Sequence, residues 1–239
     1  MTQRREYTTP DAPEIVATYH GVEVPDAPHL GPTMIANMKA GRYERREVEA
    51  ALALIKSRDR VVEMGAGTGV VGAVIAKNCQ PEAITSFEAN HKLIDHARAL
   101  YDHNGLANLI SLRYQIVISE PTPPETVEFF IRGNFLGSGM TITKGQATAE
   151  KVQVPVAAWA DIKAECQPTV LVMDIEGAEL GFFRHADLSG IHTMIVELHR
   201  HIYHRPGMRE IRDGLAAQGF VENPQLSRGG VFAFERPPQ

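Results

Sequence analysis

Val61-Val62-Glu63-Met64-Gly65-Ala66-Gly67-Thr68-Gly69 is an apolar strand that runs directly into a glycine-rich turn. Glycine adopts backbone torsions that other residues avoid, and its missing side chain leaves room for a ligand to touch the main chain. The next apolar segment, Ala83 to Phe87, is followed by Glu88, whose carboxylate can accept hydrogen bonds from both hydroxyls of a ribose. The two segments together predict a nucleoside-binding pocket at the ends of neighbouring strands.

Two classes of cofactor fit this pocket. Gly67 to Gly72 satisfies the GxGxxG pattern of dinucleotide-binding proteins, and Glu88 follows at about the twenty-residue spacing expected of a ribose-binding acid. The string Glu63-x-Gly65-x-Gly67-x-Gly69 instead matches a methyl-donor loop, in which an acid precedes the first glycine. S-adenosylmethionine has no pyrophosphate to place at a helix N-terminus, and Glu63 would suit its cationic ammonium and sulfonium groups. The residues favour the methyl donor, and NAD remains the alternative.

Strands and helices alternate along most of the chain. The predicted strands are apolar and end at turns: Arg60–Met64, Ala83–Phe87, Ile110–Ile118, Thr169–Met173 and Thr193–Leu198. The predicted helices have apolar residues at helical spacing: Tyr43–Arg58, Gly69–Asn78, His91–His103, Ala158–Glu165, Ala178–His185 and Gly207–Gln218. Phe220–Glu222 and Val231–Phe234 flank a glycine turn and predict a closing hairpin. This order predicts a doubly wound α/β fold, mostly parallel, with an antiparallel C-terminal hairpin, which is usual for methyltransferases.

The alternation is interrupted at two places. Residues 1–42 are rich in proline and glycine, which argues against long regular elements, and we expect them to form an N-terminal cap or lid. Residues 43–239 are expected to form the main domain. Within that domain, residues 120–153 are expected to be an insertion beside the sheet, with Val127–Arg132 and Met140–Thr143 as its hairpin and Val152–Val156 as a third extended piece.

A second group of polar residues follows two later strands. The string Asp174-Ile175-Glu176-Gly177-Ala178-Glu179 comes directly after an apolar strand, and Glu197 and His199 come at the end of the next. Ligands of open α/β sheets bind at the carboxyl ends of the strands, so these side chains should meet the glycine loop. An acidic residue that directly follows an apolar strand, as Asp174 does, has a functional role more often than not. Glu179 is expected to be a solvated helix residue.

These strings resemble the FkbM family of S-adenosylmethionine-dependent methyltransferases. The Asp174–Glu179 string is the most specific part of the resemblance, which extends from Tyr43 to the C-terminus. The resemblance implies the class I methyltransferase fold, a Rossmann-like sheet of seven strands, and methyl transfer to hydroxyl oxygens of sugars or polyketide-type natural products. Family members often open the loop with Asp-x-Gly-Ala-Asn, so Glu63 and the Gly67-Thr68 pair are conservative departures from the family pattern.

The expected site divides into cofactor-binding and catalytic residues. The residues expected to bind S-adenosylmethionine are Glu63, Gly65, Ala66, Gly67, Gly69, Glu88, Ala89 and Asp174. The catalytic candidates are Asp174, Glu197 and His199, because an alcohol is a poor nucleophile and a base, His199 or Asp174, must accept its proton. The same three residues could instead bind a divalent cation that acidifies the hydroxyl. Metal-free catalysis is favoured, so no metal ligand is assigned.

The length and net charge of the chain indicate which classes of partner it can bind. The chain has 239 residues, of which 44% are hydrophobic, and this suffices for one sizeable α/β domain. Its net charge of -5 gives no general attraction to nucleic acid or to an acidic membrane surface. No secretory signal or membrane span is visible, so we expect a cytoplasmic enzyme with a small hydroxylated substrate. A homodimer is one option, and a non-catalytic nucleoside-binding protein of the same fold remains an alternative.

Overall fold

A sheet of seven strands forms the centre of the protein in a computed structural model, which describes residues 13–131 and 149–237. In their order across the sheet, the strands are β5 (Ile110–Tyr114), β4 (Ala83–Glu88), β3 (Arg60–Met64), β9 (Val170–Met173), β10 (Thr193–Glu197), β12 (Val231–Glu235) and β11 (Val221–Glu222). Strand β12 is antiparallel to both of its neighbours, and the strands from β10 to β5 are parallel. This confirms the predicted doubly wound fold of the class I methyltransferases, including its antiparallel hairpin.

Helices cover both faces of this sheet. One face carries α2 (Arg45–Leu54), α3 (Val70–Cys79) and α4 (His91–His103), and the other carries α5 (Trp159–Cys166), α6 (Glu179–His185) and α7 (Arg200–Ala217). Successive residues of a strand point to opposite faces, so Val170 and Val172 pack in the first core and Leu171 and Met173 in the second. None of the helices in the described ranges combines the length and the apolar character that crossing a membrane requires.

The described part of the N-terminal segment packs in the main core. It forms a hairpin of β1 (Ile15–Tyr19) and β2 (Val22–Pro25), followed by α1 (Pro32–Lys39). Tyr19 and Val22 are buried with side chains of α3 and α4, and the Tyr19 hydroxyl donates a hydrogen bond to the carbonyl of Tyr43. Residues 13–42 therefore help to cover one face of the sheet, and their role as a cap stays a prediction.

The predicted strand Ile110–Ile118 is divided between two sheets, so this prediction is corrected. Its first part is β5, whereas β6 (Ile116–Ile118) pairs with β8 (Glu150–Ala158) in a second sheet of three strands. Strand β8 also pairs antiparallel with β7 (Thr126–Ile131). A continuous apolar pattern does not mark where a chain leaves one sheet for another, because both strands bury side chains. The predicted second hairpin strand, Met140–Thr143, lies outside the described residues.

Helix α7 begins earlier than predicted. The sequence predicts a helix from Gly207, whereas the helix begins at Arg200 and continues across a kink. His204 lies at the kink with a left-handed φ of 55°, and Pro206 follows it. Proline cannot donate a backbone hydrogen bond and disfavours a helical conformation in the residue before it, so the sequence pattern resembles a helix start where the structure has a bend.

Candidate active site

The main cavity lies at the carboxyl ends of β3, β4 and β9, where the predicted site was expected. It contains about 1200 Å³ of empty space, part of which is open to solvent. Its polar and loop lining comes from the glycine loop, the ends of β4 and β9 and the start of α2: Tyr43, Glu44, Glu47, Glu63, Gly65, Ala66, Gly67, Glu88, Ala89, Asn90, Asp174 and Glu176. The fold therefore brings the glycine loop, Glu88 and the turn after Asp174 to one cavity, whereas the predicted site residues Gly69, Glu197 and His199 do not line it.

Backbone hydrogen bonds fix the glycine loop to the neighbouring strands. The amides of Gly65 and Ala66 both donate to the carbonyl of Phe87, at 2.9 and 3.0 Å. Gly67 faces open space, because a Cβ atom at this position would meet no atom within 4 Å. Its φ of +54° also lies in the left-handed region that glycine adopts readily. The loop is thus rigid where it meets the sheet and accessible where a ligand would touch it.

Glu88 connects the glycine loop to the turn after β4. Its side chain is 7% exposed, and its two carboxylate oxygens accept hydrogen bonds from the amides of Gly67, at 2.7 Å, and Asn90, at 2.6 Å. Burial raises the pKa of Glu88 to about 7. A carboxylate offers about four acceptor positions, and hydrogen bonds from the backbone of Gly67, Ala89 and Asn90 leave about one of them for a ribose hydroxyl. This arrangement fits the predicted ribose contact, which stays a prediction.

Glu63 lies deeper than Glu88, between β4 and α3. Its side chain is 2% exposed, and its carboxylate accepts hydrogen bonds from the Ser86 hydroxyl and the backbone of Gly72. Burial raises the pKa of Glu63 to about 7. These contacts hold the end of β3 against the first turn of α3. The predicted contact between Glu63 and a cationic cofactor group stays a prediction.

Asp174 opens the second group of site residues, directly after β9. Its Oδ1 atom is buried and has no hydrogen-bond partner among the described residues. The nearest cationic atom is Nε2 of His199, at 3.9 Å. Burial, followed by the charges of Glu197 and Glu176, raises the pKa of Asp174 well above its usual value. The structure thus presents a carboxylate that gains from any partner able to donate a proton or a hydrogen bond.

His199 lies between two carboxylates. Its Nδ1 atom is 3.1 Å from Oε1 of Glu179, and its Nε2 atom is 3.3 Å from Oε2 of Glu176. Burial alone would lower the pKa of His199, but hydrogen bonds to Glu176 and Glu179 and the charges of Glu179 and Asp174 outweigh it and raise the pKa to about 10. Both ring nitrogens therefore carry protons at neutral pH. A ring with both nitrogens protonated has no lone pair for a further proton, and the predicted catalytic role of His199 stays a prediction.

Glu179 is fully buried, so the prediction of a solvated helix residue is wrong. Its exposed fraction is 0%, and its Oε1 atom faces the amides of Ile175 and Gly177, each at 3.3 Å, as well as His199. The helical pattern did not predict the burial of Glu179. Helix α6 is short, and it packs against α7. The repeated acids of the Asp174–Glu179 string were the sequence feature that could have indicated a role for Glu179 in the site.

The start of α2 supplies residues that the sequence did not point to. The Tyr43 hydroxyl shares a hydrogen bond of 2.9 Å with the hydroxyl of Thr68 in the glycine loop. Oxygens of Glu44 and Glu47 lie within 4.8 Å of an oxygen of Glu197. Burial raises the pKa of Glu44 and raises that of Glu47 to about 7. These acids give the cavity an acidic rim, and no local sequence pattern predicts that α2 lies there.

Comparison with known proteins identifies the family of this chain and finds solved structures that are similar to it. Residues 63–222 match the family model described as the methyltransferase FkbM domain. No curated protein matches the chain. Among solved structures, a precorrin-6y C5,15-methyltransferase from Geobacter metallireducens is similar, with 11% identity, a TM-score of 0.46 and coverage of 92% of this chain and 95% of that chain. M. capricolum TrmK in complex with S-adenosyl-homocysteine has 9% identity, a TM-score of 0.47 and coverage of 80% of this chain and 67% of that chain.

Proposed function

Since the chain belongs to the FkbM family of methyltransferases, which use S-adenosylmethionine, we propose that it methylates a hydroxyl oxygen of a small molecule. The observation that carries this proposal is the unpartnered Oδ1 atom of Asp174 beside the cavity that the glycine loop and Glu88 also line. One cavity thus holds both a nucleoside-binding arrangement and a group able to receive a proton. Family membership removes the NAD-dependent oxidoreductase from the alternatives.

The residues of the cavity fit S-adenosylmethionine. Glu88 keeps an acceptor position for a ribose hydroxyl, and the open face of Gly67 allows close approach to the main chain. Gly65 and Ala66 line the cavity between these residues and Asp174. When bound, the cofactor supplies an electrophilic methyl group. The task of the protein is to hold an acceptor oxygen in line with that group and to keep water out.

Asp174 is the proposed general base. An acceptor hydroxyl must lose its proton as the new carbon–oxygen bond forms, and a carboxylate with a raised pKa is a stronger base than an ordinary one. Burial raises the pKa of Asp174, whose side chain is 37% exposed and lines the cavity, and its Oδ1 atom has no hydrogen-bond partner among the described residues. His199 is protonated and cannot accept that proton, so its proposed role is to balance the charge of Asp174 and Glu197.

The contacts of His199 favour metal-free catalysis over the divalent-cation alternative. Asp174, Glu197 and His199 have ligand atoms within 4.8 Å of one another, which is close enough to surround an ion. A metal binds a lone pair on imidazole nitrogen, however, and both nitrogens of His199 already face carboxylates as donors. We therefore derive no catalytic step through a metal.

The acid rim supports a small molecule over nucleic acid as the acceptor. Glu44, Glu47 and Glu176 line the cavity, and Glu197 adjoins them. Together with the net charge of -5, these groups would repel a phosphate backbone that approached the mouth of the cavity. An uncharged hydroxylated compound, such as a sugar or a polyketide-type alcohol, meets no such barrier.

Calorimetry and a methyl-transfer assay test the proposal. We expect S-adenosylhomocysteine to bind with measurable heat and NAD to give none. We expect labelled methyl from S-adenosylmethionine to appear on at least one member of a panel of sugars and polyketide alcohols, and none on transfer RNA. Binding without turnover across the panel would support the non-catalytic alternative, and methylation of transfer RNA alone would overturn the choice of a small molecule.

A further inference from the structure

We propose that Glu179 is a positioning residue, whose buried carboxylate fixes both the ring of His199 and the turn after Asp174. This inference rests on the proposed function, because it assigns a role to Asp174 in methyl transfer. Glu179 itself does not line the cavity, whereas Asp174 and Glu176 do. Its influence on the reaction therefore passes through its neighbours.

The burial of Glu179 requires a compensating charge. Its side chain is 0% exposed, at the first position of α6, and its Oε2 atom has no hydrogen-bond partner among the described residues. An isolated buried carboxylate is costly, and a paired cation offsets much of that cost. The only cationic group that hydrogen-bonds to it in the described part of the chain is His199, at 3.1 Å from Oε1. The two side chains are therefore mutually dependent.

The same oxygen supports the turn that aims the site residues at the cavity. Glu176 and Gly177 both have positive φ, at 52° and 106°, which a residue with a side chain adopts at a cost. Oε1 of Glu179 accepts hydrogen bonds from the amides of Ile175 and Gly177 on either side of Glu176. A carboxylate at Glu179 thus stabilises the strained turn as well as the histidine.

The contact at Nδ1 decides where the other nitrogen of His199 points. With Nδ1 held by Glu179, Nε2 lies 3.3 Å from Glu176 and 3.9 Å from Asp174. The charged groups that face the ring are carboxylates from the turn, from α6 and from the end of β10: Asp174, Glu176, Glu179 and Glu197. His201 contacts the ring from α7, with ring centroids 5.7 Å apart. Loss of the charge on Glu179 therefore removes a buried anion from direct contact with the ring.

The charge of His199 in turn affects Asp174. Burial and the charges of Glu197 and Glu176 raise the pKa of Asp174, and His199 opposes that rise. If Glu179 is neutral, His199 should lose its proton at a lower pH, while the direct repulsion of Asp174 by Glu179 also disappears. These two changes act on the pKa of Asp174 in opposite directions, so the titration of His199 is the direct readout of the role of Glu179.

The test uses Glu179→Gln, which keeps the size of the side chain and an oxygen for the two amides. The titration of His199 is followed by NMR of its ring nitrogens in the full protein with S-adenosylhomocysteine. We expect a midpoint well above the ordinary value in the wild type and a fall of more than ~1 pH unit in the variant. We expect KM for S-adenosylmethionine to stay within about twofold of the wild-type value, as for a residue outside the cavity.

Glu210→Gln is the matched control, because Glu210 is an exposed acid on α7 that pairs with Arg184 and is not among the carboxylates that face His199. It should leave the His199 midpoint unchanged. A folded Glu179→Gln protein with the wild-type midpoint would overturn the inference. If that variant does not fold, the wild-type titration decides, since a midpoint near the ordinary histidine value would also overturn it. These NMR outcomes need no acceptor, so they are distinct from a failure of methyl transfer.

Discussion

Gly65 lies directly against the main chain of Asp174: a Cβ atom on Gly65 would be 1.8 Å from the carbonyl oxygen of Asp174. The amide of Asp174 also donates a hydrogen bond to the carbonyl of Met64, at 2.9 Å. These contacts join the end of β3 to the end of β9, which are neighbours in the sheet. The proposed cofactor loop and the proposed base therefore form one rigid unit.

Substitution Gly65→Ala should destabilise the protein by more than about 3 kcal/mol, because the methyl group has no space and the backbone φ is +87°. Gly105→Ala is the matched control: its φ is also positive, at +68°, but its Cβ would meet no atom within 4 Å. Gly105→Ala should lower the free energy of unfolding by only about 1 kcal/mol. Urea unfolding, followed by the fluorescence of the single tryptophan, Trp159, measures both. Equal losses would contradict the steric explanation.

Substitution Glu88→Gln should weaken the binding of S-adenosylhomocysteine about tenfold or more. The amide group of glutamine replaces an acceptor oxygen with a donor, which then faces the amide of Gly67 or Asn90 or a ribose hydroxyl. Calorimetry measures the loss. Glu150→Gln removes an exposed acid that pairs with Lys92, and it should leave the affinity unchanged. Unaltered binding in Glu88→Gln would mean that ribose is held elsewhere.

Glu63 should make the protein less stable as the pH rises. Burial raises its pKa from 4.5 to about 7 in the folded state, so the free energy of unfolding falls between those values as the unfolded chain releases the proton first. In Glu63→Gln this contribution is absent. Between pH 4 and pH 8, the free energy of unfolding of the wild type should fall by about 3 kcal/mol more than that of the variant. If the free energies of unfolding of the two proteins changed with pH in the same way, the pKa of Glu63 would not be raised in the folded state.

Substitution Asp174→Asn should lower kcat by about a hundredfold or more, which is the range expected on loss of a general base. The Kd for S-adenosylhomocysteine should change by less than about tenfold, because asparagine keeps the shape and one oxygen. Asp95→Asn, an exposed change on α4, provides the control for activity. A loss of binding that accounts for the whole loss of kcat/KM would reassign Asp174 to the cofactor.

Local sequence patterns were sufficient to predict the main sheet and several of the residues that line its edge. The sequence predicted β3 as Arg60–Met64 and α4 as His91–His103, and both have these bounds in the structure. Apolar periodicity and glycine turns depend on neighbours within a few positions, so a single sequence contains them. The same reasoning placed Glu63, Glu88 and Asp174 at strand ends, and all three line the cavity.

Tertiary structure alone decided the charge and the surroundings of those residues. Glu179 is buried because α7 lies over its turn, and His199 is a cation because three separate elements place carboxylates around it. Glu44 reaches the cavity only because α2 packs across the sheet beside β10. Electrostatic energy depends on distance and burial in space, and neither follows from separation along the chain.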